Sequence, residues 1–194
     1  VVFGDSTGHG ISASYMSIMT LNIISRIADT HCCNPAYMLS MMHKEILAAT
    51  KQNKKPPIIE SADTMICTID HVNMKLNYAS AKIKGLIVRN GNVIELQKDN
   101  CSIGEHLLAE ISVQNHEQDL KKGDCLYLFS DGVTDQFGGE NDKKFGYKRL
   151  LAVLKENHDQ PFSIQKTNLE NVLHEWRGDR EQTDDMPFLA MKIQ

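Results

Sequence analysis

The sequence has no excess of positive charge, no long apolar run, no paired cysteine motif and no low-complexity stretch. A net charge of −4 over 194 residues leaves no electrostatic footprint for nucleic acid, which requires a clustered basic excess. The apolar stretches fall short of the about 18 residues needed to span a bilayer. The opening Val1-Val2-Phe3 carries neither the charged region nor the cleavage site of a signal peptide. No Met stands at position 1, so the expectation is a piece of a longer chain.

Cysteine usage points the same way. The five cysteines, Cys32, Cys33, Cys67, Cys101 and Cys125, are odd in number, and their spacing matches no zinc site. They read as reduced, mostly buried thiols, and the expected location is cytoplasmic. With 41% hydrophobic and 24% charged residues, the chain builds a core and is not disordered.

A pass along the chain predicts a buried strand ending near residue 5, a small-residue turn and a helix over 11–28. Apolar residues surround most of that helix, which is expected to be buried on more than one side. A second helix over 35–52 is capped by Asn34 and opened by Pro35. Residues 51–57 form a basic, proline-broken loop. The hydrophobic period then shifts to two. Strands are predicted at 64–70, 75–79, 86–89, 93–96, 111–117 and 125–130, with Asn90-Gly91 marking a hairpin. Helices over 147–156 and 162–176 and a strand over 186–193 close the sequence. This order is α+β, without strict β-α-β alternation, and no repeat or linker divides it.

Ten residues after the first strand attract three motif readings. Gly8-His9-Gly10-Ile11-Ser12-Ala13 fits a dinucleotide fingerprint with Asp29 at the right distance, but Asp29 closes a helix and another helix follows. Gly4-Asp5-Ser6-Thr7-Gly8 fits a nucleophile elbow with Ser6 as nucleophile, Asp131 and then His158 or His174 downstream. That fold needs upstream strands and a parallel sheet, where this sequence is rich in hairpins. In the third reading Asp5 is the working group, a carboxylate at a strand end followed by small residues. Two more positions have that character: Asp131, after the apolar Leu126-Tyr127-Leu128-Phe129, and the pair Asp184-Asp185 ahead of the last strand. Each alone reads as a turn residue. Carboxylates on separate strands are what hard divalent cations take as ligands.

These residues resemble the bacterial SpoIIE-type serine/threonine phosphatases, a branch of the metal-dependent superfamily that includes protein phosphatase type 2C. The matching pieces are Gly4-Asp5-Ser6-Thr7-Gly8-His9-Gly10, Ser130-Asp131-Gly132-Val133-Thr134-Asp135-Gln136-Phe137-Gly138-Gly139, Lys143-Lys144-Phe145-Gly146, Trp176-Arg177-Gly178 and Gln182-Thr183-Asp184-Asp185-Met186. Order and spacing agree across essentially all of residues 1–194. The resemblance implies a four-layer α-β-β-α sandwich of antiparallel sheets flanked by helix pairs. It implies hydrolysis of phosphoserine or phosphothreonine by a water activated by two Mn2+ or Mg2+ ions.

By the same resemblance Asp5 bridges the two ions, and the Ser6 carbonyl serves one of them. Asp131 and Asp184 serve the second ion, Asp185 supports it, and Gly8 and Gly10 let the substrate phosphate approach. The implied substrate is a phosphorylated anti-sigma-factor antagonist, and an N-terminal sensor or receiver region would control activity. A phosphoprotein-binding pseudophosphatase is the non-enzymatic alternative. No cysteine has an Arg six positions on, so the tyrosine-phosphatase loop is absent. Two departures stand out. The family's further metal-binding Asp lies on a strand upstream of Val1, so the expectation is a catalytic domain without its first strand and with weak or no activity. Pro187 also follows Asp185-Met186 where relatives often carry Thr.

Overall fold

The structure is a computed structural model that describes residues 1–7, 10–31, 34–51, 61–105 and 107–194. Gly8, His9, Cys32, Cys33 and most of the 51–57 loop lie outside the described residues. The elements follow in the order β1 (Val2–Ser6), α1 (Ile11–His31), α2 (Pro35–Lys51), β2 (Ala62–Asp70), β3 (Lys75–Ala81), β4 (Lys84–Arg89), β5 (Asn92–Glu95), β6 (His116–Asp119), β7 (Cys125–Phe129), α3 (Asp131–Asp135), β8 (Phe137–Gly138), β9 (Lys143–Lys144), α4 (Tyr147–Asn157), α5 (Phe162–Arg177) and β10 (Phe188–Lys192). They fall into two compact units. The first comprises Val1–Ile83 and Gln97–Leu120, and the second Lys84–Leu96 and Lys121–Gln194. Both are helix pairs on antiparallel sheets, as the α+β reading expects.

In the first unit the strand order is β1-β2-β3-β6, antiparallel throughout. The α1 and α2 helices pack on this sheet through Met16, Ile23, Ile27, Leu39, Met42 and Ile46, which meet Ile66, Ala79 and Ile103. Burying each such side chain contributes about 1.5–3 kcal/mol. The Asn34 cap is present: the Tyr37 N–H donates to Asn34 Oδ1 at 3.0 Å.

Two expectations fail in this unit. Helix α1 is buried on one face only, and Ile11 (91% exposed), Tyr15, Ile18 and Leu21 face away from the core. Its apolar residues outnumber the positions that a single sheet and one neighbouring helix can cover. The strand expected over 111–117 also reduces to its last two residues plus Gln118 and Asp119. Upstream of it, side chains take the place of a ladder: the Gln114 N–H donates to Asp99 Oδ2, and Asn115 Oδ1 accepts from the Ala36 N–H. Such side-chain bonds compete with strand pairing for the same backbone.

The second unit carries the order β10-β7-β4-β5. Its β4–β5 hairpin turns at Asn90 (φ 49°) and Gly91 (φ 76°), the positive-φ pair that a two-residue turn of this hand requires. Strand β7, central and buried along its whole length, supplies Tyr127 and Phe129 to a core completed by Phe145, Leu150, Leu154 and Leu169. Three details differ from the sequence reading. Asp131 opens the short helix α3 rather than ending a strand. Residues 137–144 form a hairpin, β8–β9, whose turn passes through Gly139 (φ 67°) and Asp142 (φ 48°). The last strand begins only at Phe188, so Asp184 and Asp185 lie in irregular backbone before Pro187. Proline has no N–H for the ladder and delays its start.

An ion pair fastens β4 to the turn before β7. Asp124, 1% exposed, accepts from Arg89 Nε at 2.9 Å and from a second guanidinium nitrogen at 2.7 Å, and also from the Lys121 N–H at 2.8 Å. Removing one partner of such a pair strands the other charge. Asp124→Ala is therefore expected to destabilise the protein by about 3 kcal/mol, measured by urea denaturation. A loss under about 0.5 kcal/mol would mean the pair contributes nothing.

Candidate functional site

In the first unit, Asp5 and Ser6 end strand β1. Asp5 faces Asp63 across the antiparallel register with β2, and Gly4 faces Thr64. Register partners project to the same side of the sheet with Cβ atoms about 4.5–5.5 Å apart. Asp63 accepts a 2.6 Å hydrogen bond from the hydroxyl of Ser102, a buried residue whose segment is docked on the head of β2 by paired Ala62–Ile103 backbone bonds. The strand end is pinned again where the Thr7 N–H donates to the Ser61 carbonyl at 2.8 Å. Sequence reasoning missed Asp63. It carries the same signal as Asp184, an acidic residue near the head of an apolar strand. Gly10 stands just ahead of α1 with φ 84°, and its carbonyl accepts from the Ser14 N–H and hydroxyl.

The competing readings of these residues find no support here. The Ser6 hydroxyl shares its hydrogen bond with the Ser17 hydroxyl at 3.0 Å, and β1 sits in an antiparallel sheet, unlike a nucleophile elbow. Position 29 lies inside α1, and α2 follows it, so no β-α-β unit forms.

In the second unit, Ser130, Asp131 and Gly132 run from β7 into α3. Gly132 explains how the distant acidic pair is brought in. A Cβ built on Gly132 would lie 2.0 Å from the Asp185 carbonyl oxygen and 3.4 Å from Asp184 Cβ. Gly132 is thus packed directly against residues 184–185, and only a residue without a side chain allows it. Of the pair, Asp185 presents its carbonyl oxygen to Gly132. The Asp184 carboxylate accepts from the Asp185 N–H at 2.8 Å. Asp131, Asp184 and Asp185 are exposed and have no ion-pair partner among the described residues.

This donor set suits a hard cation. It offers carboxylate and carbonyl oxygens, and the buried Ser130 hydroxyl next to Asp131 has no hydrogen-bond partner among the described residues. Among those residues, no group of three or more His, Cys, Asp or Glu side chains is placed to hold an ion. The second unit brings the segments carrying Asp131 and Asp184 together at Gly132. Asp5 belongs to the first unit, and Gly8 lies outside the described residues.

Thiol chemistry is unsupported. The described cysteines, Cys67, Cys101 and Cys125, are free and buried. Burial pushes the Cys67 thiol up to about 12 and also raises Cys101 and Cys125. None has the depressed pKa of a nucleophilic thiolate.

Comparison with known proteins bears on the family and the fold. The family model described as "Stage II sporulation protein E (SpoIIE)" matches residues 1–194. Stage II sporulation protein E of Bacillus subtilis (strain 168) is 26% identical over 97% of this chain and 21% of its own length. Its counterpart in Priestia megaterium is 25% identical over 100% of the chain and 31% of its own length. The chain thus spans about a fifth to a third of the curated relatives it matches. Among solved structures, the SiaA-PP2C domain of Pseudomonas aeruginosa superposes with a TM-score of 0.88 at 26% identity, over 100% of this chain and 75% of that one. The PP2C phosphatase domain of Bacillus subtilis SpoIIE, solved with a fragment of its regulatory domain, gives 0.74 at 19% identity, over 99% and 53%. No helix among the described residues is long and apolar enough to cross a membrane. With the family model matching residues 1–194 and the fold matched from end to end, this chain belongs to the SpoIIE family and has the fold of a PP2C-type phosphatase domain.

Proposed function

We propose that this domain removes phosphate from phosphoserine or phosphothreonine on a regulatory partner protein, in a reaction dependent on two Mn2+ or Mg2+ ions. The observation that supports the reading is the contact at Gly132, the residue after Asp131: a Cβ there would lie 3.4 Å from Asp184 Cβ, more than fifty residues away in sequence. Asp131 and Asp184 are the cation ligands of the second unit, and Asp185 supports them. Asp5 and the Ser6 carbonyl are assigned to metal binding by the motif in which they stand, as are Gly8 and Gly10 to substrate approach. A bound divalent cation lowers the pKa of water and neutralises phosphoryl charge.

The chain's own contribution is to keep Asp131, Asp184 and Asp185 exposed, with no ion-pair partner among the described residues. Among the described residues the cysteines are buried with raised pKa values, which supports direct hydrolysis without a cysteinyl-phosphate. The proposed substrate is a small phosphorylated antagonist of an anti-sigma factor, met by this domain under the control of a sensor or receiver region in the same polypeptide.

The test is hydrolysis of a phosphoserine peptide by the full-length protein before and after chelation. Activity is expected to vanish with EDTA and to return with millimolar Mn2+. Undiminished activity in EDTA would sink the metal mechanism. Tight peptide binding without turnover in Mn2+ would favour a pseudophosphatase.

A further inference from the structure

The segment that delivers Asp184 has little to hold it. Among the described residues, no backbone–backbone hydrogen bond involves residues 181–186, and residues 181–185 are all exposed. Yet Asp184 must sit reproducibly against Gly132. One buried side chain supplies the missing restraint. Gln136, 0% exposed, donates from Nε2 to the Glu181 carbonyl at 3.1 Å, and its Oε1 accepts from the Thr183 N–H at 3.1 Å. The amide thus makes bonds to both sides of Gln182, as an adjacent strand would. Gln182 in turn donates from Nε2 to the Asp184 carbonyl at 2.8 Å.

Gln136 is itself immobilised. Its Nε2 also donates to the Phe137 carbonyl at 3.0 Å, and its carbonyl accepts from the Phe145 N–H at 2.8 Å and from Trp176 Nε1 at 3.2 Å. It stands one residue past α3, the helix that Asp131 opens. One side chain thus joins the Asp131 element to the Asp184 segment.

We propose that Gln136 is the positioning residue for Asp184: by strapping residues 181–183 to the end of α3 it fixes the spacing of the Asp131–Asp184 pair and so sets the affinity for the divalent cation. This rests on the proposed metal-dependent function. A carboxamide is the side chain for the task, because it offers donor and acceptor from one rigid plane. Glutamate would set an oxygen against the Glu181 carbonyl, and methionine would fill the same volume with no hydrogen bonds. Groups that orient a metal ligand without touching the metal typically change affinity by about 10–100-fold.

The experiment compares the wild type with Gln136→Met in the full chain. It reads the half-saturating Mn2+ concentration, kcat at saturating Mn2+, and amide exchange at Thr183 with Leu128 in β7 as the internal reference. The expected result is a half-saturating Mn2+ raised about tenfold or more, with kcat at saturation within about threefold of wild type. Thr183 exchange accelerates while Leu128 exchange does not change. A merely structural role would accelerate both amides and leave the Mn2+ midpoint in place, and either that outcome or an unchanged Thr183 overturns the proposal. Should Gln136→Met fail to fold, Thr183→Pro removes the donated hydrogen bond from the exposed side and is held to the same Mn2+ criterion. A wild-type chain that shows no Mn2+ dependence sinks the phosphatase reading instead, and the strap is then judged on Thr183 exchange alone.

Discussion

Asp131→Asn is expected to cut Mn2+-dependent kcat/KM on a phosphoserine peptide by at least about 10²–10³-fold, the scale for losing one preorganised electrostatic contact to a transition state. The substitution is nearly isosteric, so the effect comes from charge. Asp131 is exposed at the start of α3, and its carboxylate has no ion-pair partner among the described residues, so little of the fold depends on it. The one stabilising term lost is the favourable placement of a negative charge at a helix start, about 0.3–1 kcal/mol. Thermal denaturation should therefore move by only a few degrees while turnover collapses. Turnover within threefold of wild type would remove Asp131 from the metal chemistry.

The second large effect is expected from a single methyl group. Gly132→Ala places a Cβ 2.0 Å from the Asp185 carbonyl oxygen, well inside van der Waals contact and against backbone rather than a flexible side chain. Residues 184–185 must then move by about an ångström or more, and misplacement on that scale costs about 10²-fold in rate. Local propensity pulls the other way: within a helix, alanine is favoured over glycine by about 1 kcal/mol. The variant thus separates the two influences. Activity that falls with little change in melting temperature assigns the glycine to the approach of the acidic pair. Full activity would show that the contact is dispensable.

Much of this was legible from spacing and period. The alternation in residues 64–70 and 75–79, the Asn90-Gly91 turn and the capped second helix all appear where local chemistry puts them. The reason is that each depends on neighbours within a few residues. Elements that depend on distant partners were not legible. The β8–β9 hairpin is two residues on each strand and exists because the Trp176 backbone packs on Gly138, where a Cβ would lie 1.9 Å from its carbonyl. No periodicity announces so short a pair.

The extended stretch before β6 was misread as strand for a related reason. Its Gln114 N–H goes to the Asp99 side chain and its Asn115 side chain accepts from the Ala36 N–H, a choice invisible from alternation alone. At the site, Asp5, Asp131 and Asp184 stood out as carboxylates beside apolar strands. Asp63 and Gln136 did not, because a register and a side-chain strap between residues 136 and 183 are properties of the folded chain.

The interleaving of the two units has a consequence for synthesis. The β4–β5 hairpin leaves the ribosome before β7, whose Phe129 pairs with Lys84. The first unit likewise closes only when β6 arrives to pair with β3. Neither unit is a contiguous stretch of sequence, so the first waits for Gln97–Leu120 and the second for Lys121–Gln194. At about 5–20 residues per second, β4 waits several seconds with one edge open. In that interval its Leu86, Ile87 and Val88, wholly buried in the finished protein, are the residues a chaperone would find first.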